Sequence, residues 1–250
     1  MEILDLLKIK LNYPESSLRC NDSYLADISG SDSIAALIKI LETQPGSVII
    51  PSVAEVACEY GDKTQFRNVL KIIHDTFAPS SSIMQCVIFD ANELWKKLIV
   101  SQLQQMVAEH NFFSPCIACH LSFHLARIAI AKHLGIARVI SGERELHNNA
   151  EKINQFDIIL DYFNSIYNSV GIAHYLPVRK IANTQHISEI MNKYKINPVS
   201  LECLFSKNYY KDGTNELAIS KKAVEKYLRC FIPKLLSSIE KEIIINCRVD

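Results

Sequence analysis

The stretch Ala26-Asp27-Ile28-Ser29-Gly30-Ser31-Asp32-Ser33 decides the fold, because it joins the apolar run Tyr24 to Ile28 to the apolar helical run Ile34-Ala35-Ala36-Leu37-Ile38-Lys39-Ile40-Leu41. A turn of small residues between a strand and a helix exposes backbone N–H groups where the helix dipole favours an anion. It therefore reads as a phosphate cradle. Gly30 would allow close backbone approach, Ser29, Ser31 and Ser33 would add hydroxyl donors, and Asp32 would hold a magnesium ion bridging phosphates. The same letters also read as an ordinary N-cap cluster in which Ser31 or Asp32 satisfies the first free amides. Its position after the first core strand favours the ligand site.

Outward from this turn, short strand-like runs alternate with longer helical ones. Strands are expected at Tyr24–Ile28, Ser47–Ile50, Met84–Phe89, Arg138–Ile140 and His174–Leu176. Helices are expected at Ser33–Thr43, Lys63–Thr76, Ala91–Glu109, Ala118–Leu134 and Ala150–Ser169, with a first helix in MEILDLLKIKL. Such alternation predicts an open, mostly parallel α/β sheet with helices on both faces, Rossmann-like. Past Pro177 it stops, and helices are expected at His186–Lys195, Pro198–Phe205 and Ser220–Glu242. The division is thus a nucleotide-binding α/β part over residues 1–180 and a helical C-terminal extension over 181–250, with a soft boundary.

Composition narrows the function classes. The 250 residues are 48% hydrophobic and 22% charged, the balance of an ordinary globular chain. Lys plus Arg equals Asp plus Glu at 27 each, so no global field draws the chain to nucleic acid or an anionic membrane, and any RNA is held by a local patch. The first residues lack a basic leader and a cleavage site, and no run of eighteen apolar residues occurs, so a cytoplasmic protein without a membrane span is expected. Eight cysteines in that setting read as thiols or metal ligands rather than a disulfide framework. Six are scattered: Cys20, Cys58, Cys86, Cys203, Cys230 and Cys247.

The other two form a C-x-x-C in Pro115-Cys116-Ile117-Ala118-Cys119-His120, at the start of a helix that Gly135 should end. Helical spacing puts Cys116, His120, His124 and Arg127 on one stripe, with Cys119 a turn above Cys116. Two readings of the pair come from the residues themselves. One is buried structural thiols; the other is a zinc site using Cys116, Cys119 and His120 or His124. Downstream, Gly142-Glu143-Arg144-Glu145 sits at the C-terminal end of a strand, where Arg144 would clamp phosphate. His174 reads as a satisfied core or edge histidine. Lys152, Asn154 and Gln155 read as a solvated helix face, and Glu59-Tyr60-Gly61-Asp62 as a cleft wall or a helix-capping turn.

Residues 29–33 resemble the S-G-G-x-D-S signature of the PP-loop ATP pyrophosphatases. Ser29, Gly30, Asp32 and Ser33 stand in its frame, with Ile28 in place of its first Ser and Ser29 in place of its first Gly. The resemblance covers about residues 23 to 206 and implies a sheet of the adenine nucleotide alpha hydrolase type. Within that group the chain looks closest to the iron–sulfur tRNA 2-thiolation enzymes, which carry a C-x-x-C at the helix before the fourth strand and a lone third cysteine far downstream. Cys203, 84 residues after Cys119, takes that place. Gly142 matches the group's next motif without its acidic pair, and Phe123 and His124 replace its basic pair.

What the resemblance implies is ATP and Mg²⁺ as cofactors, with Ser29, Gly30, Ser31, Asp32, Ser33, Gly142, Glu143 and Arg144 around the nucleotide. It further implies a [4Fe–4S] cluster on Cys116, Cys119 and Cys203, and adenylation followed by sulfur transfer to a nucleobase-containing substrate, with tRNA and a sulfur donor as partners. A second copy of the chain stays open as a partner. Two rivals stand beside this: a zinc-containing amide- or nitrile-forming ligase of the deazapurine synthase type, and a nucleotide-binding module without chemistry.

Overall fold

A computed structural model of the chain describes residues 3–7, 9, 22–110, 115–148, 150–214 and 216–236. In chain order the elements are α1 (Ile3–Leu6), β1 (Ser23–Asp27), α2 (Ser31–Thr43), β2 (Val48–Glu55), β3 (Glu59–Tyr60), α3 (Thr64–Phe77), β4 (Ser82–Ile83), β5 (Val87–Asp90), α4 (Asn92–Leu98), α5 (Leu103–His110), α6 (Cys116–His133), β6 (Arg138–Ile140), α7 (Asp157–Ser169), β7 (Ala173–Tyr175), α8 (Thr184–Asn192), β8 (Glu202–Cys203) and α9 (Lys221–Cys230). Cys20 and Cys247, and the outer parts of the expected first and last helices, lie outside the described residues.

Six strands form one sheet in the order β4-β2-β1-β6-β7, with β5 also on β2, and every pairing is parallel. The core forms on both faces because side chains alternate along β1. Leu25 faces the cluster built with α4, α6, α7 and α9, whereas Tyr24 and Ala26 face the cluster built with α2, α3 and α8. Helix α2 is apolar almost all round, from Ile34 to Leu41, since it lies between the sheet and α8. Helix α6 is likewise a core helix, and it ends where Gly135, at φ +68°, turns the chain with its amide on the Lys132 carbonyl.

From β1 the chain first builds β2 on one side and later returns to place β6 on the other. The two crossovers diverge there, and a crevice opens outside the carboxyl ends of β1 and β6. This is where the sequence placed the phosphate turn.

Several expected boundaries shift. The strand expected at Met84–Phe89 is two short strands, β4 and β5, laid against successive parts of β2. The helix expected at Ala91–Glu109 is interrupted at Ile99 and passes through a 3₁₀ turn at Val100–Gln102. That expected at Ala150–Ser169 begins at Asp157, after a 3₁₀ turn at Ile153–Gln155. The largest change is Pro198–Phe205, which is not helical. There the Ser31 amide and hydroxyl bond the Val199 carbonyl, Gly30 and Ser200 form a β-bridge, and β8 pairs antiparallel with β3. Backbone partners from distant segments outcompete the local helical bonds that the apolar pattern suggested.

Candidate functional site

A cavity of about 840 Å³ opens at the crevice, within the ~300–1,000 Å³ range of small-molecule sites. Ser29, Gly30, Ser31, Asp32, Ser33, Cys116, Cys119, His120, His124, Gly142, Glu143, Arg144 and Cys203 all line it. Residues up to 174 positions apart in sequence are thus brought to one wall or another of a single space.

The phosphate turn is more self-contained than its sequence implied. The Ser33 hydroxyl accepts from the Ser29 and Gly30 amides at 2.9 and 3.0 Å and donates to the Gly30 carbonyl at 2.8 Å. The Ser31 hydroxyl donates to the Val199 carbonyl, and the Ser29 hydroxyl to Asp27, both at about 3 Å. The three serine hydroxyls expected as ligand donors therefore already bond the protein, and neither Ser31 nor Asp32 caps α2 as the N-cap reading expected; the Ser33 hydroxyl takes the amides ahead of the helix instead. Gly30 is extended, and a Cβ there would meet only the Val199 carbonyl oxygen, at 3.6 Å.

Gly142 has a different reason to be glycine. A Cβ on it would stand 2.2 Å from the Ser33 nitrogen and 2.5 Å from the Asp32 carbonyl carbon. The loop after β6 thus rests directly on the first turn of α2. Two residues on, the buried Arg144 places Nε 3.0 Å from Asp32 Oδ1. Burial pushes the Asp32 carboxyl above its usual range, although Arg144 and then Lys152 pull it back. Arg144, expected to clamp phosphate, is instead bound to the fold: it also reaches the Ile181 carbonyl, Thr184 Oγ1 and His147 Nδ1.

A polar network runs from this pair toward α6. His147 Nε2 meets Gln155 Oε1, and the Gln155 amide donates to Glu143. Glu143 Oε1 lies 2.8 Å from His120 Nδ1 and 3.5 Å from His124 Nε2. Burial alone would push Glu143 up, but the charge and hydrogen bonds of the two histidines hold it well below the usual carboxylate range. Burial opposes the charging of His120, yet Glu143 outweighs it and raises the imidazole above its ordinary value. His124, more deeply enclosed, is lowered by burial. His147 is lowered to about 4 by burial and by the nearby Lys152 charge.

This arrangement holds both imidazoles of the zinc reading on protein partners. The second nitrogen of His120 is 3.0 Å from Asn154 Nδ2, and the second nitrogen of His124 is 3.1 Å from the Tyr167 hydroxyl. Both imidazoles are committed at both nitrogens, so neither is offered to a metal beside Cys116 and Cys119. Among the described residues no group of three or more His, Cys, Asp or Glu side chains is arranged around one ion position.

The thiols gather at the other end of the cavity. Cys119 contacts Cys58, and Cys58 in turn contacts Cys203, in a shell of Val56, Trp95, Phe123 and Phe205. Cys116 lies one helical turn away, its sulfur 3.8 Å from the Phe205 carbonyl oxygen. The Cys119 contact and burial push the Cys58 thiol far up, and the Cys58 contact does the same to Cys203. Crowded thiols resist ionisation when no cation is near, and a bound cation reverses that preference.

Several lining residues were not anticipated. Arg127 was on the predicted stripe, but its ion pair with Asp27 and its 3.2 Å bond to the Ser52 hydroxyl, which tie α6 to β1 and β2, follow only from the parallel register. Asn154 and Gln155 are buried and Lys152 lines the cavity, so the solvated helix face expected there is overturned; the 3₁₀ turn aims all three inward. Cys58, buried behind the wall rather than on it, had no local motif to mark it. Glu59 lines the cavity, while Asp62 caps α3 through Thr64. His174 is held between Ser141 and Asn164 and stacks on Tyr167.

The closed parallel crevice with a small-residue turn after its first strand can be compared with solved proteins. A 4-thiouridine synthetase, solved as an RNA complex with bound ATP, superposes with a TM-score of 0.53 over 88% of this chain at 16% identity. The fold is of the PP-loop type. This chain spans about half of the synthetase, 53% of its length. The U34-tRNA thiolase NcsA from Methanococcus maripaludis, solved with its [4Fe–4S] cluster, gives a TM-score of 0.45 over 94% of this chain and 75% of the thiolase at 11% identity. In sequence, an uncharacterized protein of Methanocaldococcus jannaschii is 28% identical over 232 residues, covering 91% of this chain and 83% of the relative. No family model matches the chain. Among the described residues, no helix of this PP-loop fold is long and apolar enough to cross a membrane.

Proposed function

We propose that this chain is an ATP-using enzyme of the PP-loop type that adenylates an oxygen of a nucleobase-containing substrate, releases pyrophosphate, and lets a sulfur nucleophile displace AMP. The observation that carries the reading is the common cavity: the Ser29–Ser33 turn, the loop after β6 and the thiols Cys116, Cys119 and Cys203 all face it. ATP and RNA accompany the synthetase of like fold, and we extend both to this chain as ligands, with tRNA as the RNA, a separate sulfur donor and the cytoplasm as the place of action. Residues 1–180 are assigned the nucleotide and residues 181–250 the remote thiol.

The chain's own groups support each step. The N-terminus of α2 presents its positive dipole end to the cavity, where a polyphosphate gains. Asp32 would hold Mg²⁺, and Arg144 lies in ion-pair contact with its carboxylate. Cys116, Cys119 and Cys203 all line the cavity, and Cys119 and Cys203 sit among apolar side chains; an all-sulfur donor set is what an iron–sulfur centre would take, although the three thiols are not gathered around one ion position in this structure. A [4Fe–4S] centre there would supply an iron able to carry the sulfur. Attack by the substrate oxygen on the α-phosphorus would break the bond to pyrophosphate, and sulfur attack on the adenylated carbon would expel AMP. In both steps preorganised charge at the crevice supplies the stabilisation.

One observation favours a second reading, a nucleotide-binding module without chemistry: the amides of Ser29, Gly30 and Ser31 already have protein partners. Pyrophosphate release separates the two. With ATP, Mg²⁺, a sulfide source and unmodified tRNA or free bases, the enzyme releases pyrophosphate and AMP in step with sulfur incorporation. ATP binding with no release under any of these conditions supports the module instead.

A further inference from the structure

We propose that Lys152, and not Arg144, is the side chain that meets the negative charge of a bound polyphosphate in this cavity. The inference rests on the ATP reading above and sharpens it. A guanidinium has five N–H donors. For Arg144, Nη1 donates to the Ile181 carbonyl at 3.1 Å and Nη2 reaches His147 Nδ1 at 2.8 Å and Thr184 Oγ1 at 3.3 Å, while Nε is in ion-pair contact with Asp32 Oδ1 at 3.0 Å without being aligned for a hydrogen bond. Its side chain is 2% exposed. Gripping a phosphate would strip Asp32 of its counter-ion and release the start of α8. Arg144 is therefore a brace between three segments.

Lys152 is placed differently. It precedes the 3₁₀ turn Ile153–Gln155, lines the same cavity, and makes no hydrogen bond or ion pair with any described residue. The charges around the phosphate turn otherwise cancel pairwise: Asp32 with Arg144, Asp27 with Arg127, Glu143 with His120. Of the other charged groups on the wall, Glu59 and Glu202 lie on the paired strands β3 and β8 and Lys207 follows β8, so these three belong to the thiol end. Lys152 is thus the surplus cation at the nucleotide end. Asp32 and Glu143 act on Lys152 only from beyond hydrogen-bond reach and are themselves held by Arg144 and His120, so the enclosed ammonium gains from an anion that completes it. A phosphate arriving at the N-terminus of α2 is such an anion, and lysine's single charge on a flexible stem can follow it without disturbing the brace.

Calorimetric titration of wild type, K152A and K152R with ATP and with adenosine tests this. K152A is expected to weaken ATP by roughly ten- to a hundredfold, the worth of a charge-assisted contact, while adenosine affinity stays within about twofold and K152R recovers most of the loss. Equal ATP affinity of K152A and wild type overturns the assignment even though ATP binds. In parallel, inorganic pyrophosphate is expected to shield Lys152 from an amine-acylating reagent, read by peptide mass. Protection without ATP binding leaves Lys152 as an anion contact and removes the ATP reading; labelling unaffected by pyrophosphate overturns Lys152.

Discussion

Replacing Gly142 by Ala should damage the protein before any ligand arrives. The added Cβ would lie 2.2 Å from the Ser33 nitrogen and 2.4 Å from its Cα, so reaching an ordinary 3.4 Å contact needs about 1.2 Å of separation. Both opposing atoms are backbone, in the first turn of a helix locked between sheet and α8, so no side chain can swing aside. Overpacking of this kind costs about 3 kcal/mol. For a chain of this length that is a fall in Tm of roughly 6–12 °C. Separating the loop from the helix also pulls Arg144 from Asp32, so ATP affinity should fall with stability. Thermal melts followed by circular dichroism, paired with ATP titration at a temperature where both proteins are folded, provide the test. A variant melting within about 2 °C of wild type would show that the loop after β6 does not rest on α2, and the crevice geometry argued above would fail with it.

Two further outcomes follow from the site. Because burial lowers His147 from the ordinary 6.5 to about 4, the unfolded chain binds a proton between these values that the folded chain refuses. Stability should therefore fall by roughly 1–3 kcal/mol as pH drops from 6.5 to 4, and H147Q, which cannot titrate, should lose that part of the slope in urea melts; identical slopes would refute the assignment. Anaerobically reconstituted protein should be brown and carry iron with acid-labile sulfide, and C203A should lose both; a colourless wild type holding stoichiometric zinc would reject the cluster.

What was legible in the sequence was whatever depends on local chemistry. The alternation of short and long apolar runs announced the parallel sheet, and the turn from Ser29 to Ser33 could be set after β1 because small residues there break one period and start another. Gly142 was singled out by its match to the family motif after a strand, although its close approach to Ser33 was invisible. The misreadings share a cause. Pro198–Phe205 has a helical apolar pattern, yet its backbone bonds Ser31 and β3, partners well over a hundred residues away. Lys152, Asn154 and Gln155 look like a polar helix face until the 3₁₀ turn points them inward. Cys58 contributes its thiol through strand pairing between β3 and β8, which no spacing rule encodes.

The two ends of the cavity are not independent. Asp32 is ion-paired with Arg144, Arg144 bonds His147, His147 bonds Gln155, Gln155 bonds Glu143, and Glu143 bonds His120, which is adjacent to Cys119. Arg144, Gln155 and Glu143 are buried, with Asp32, His147 and His120 partly so, and each buried group that lost its neighbour would be left unsatisfied at a cost of about 1–3 kcal/mol. Such a chain is an expensive way to stabilise a fold, since apolar packing would serve as well. What it does supply is a fixed distance and orientation between the start of α2 and the helix bearing the C-x-x-C. Such constancy would serve the two successive reactions proposed above, in which an atom activated at one end would be met by sulfur at the other without leaving the cavity.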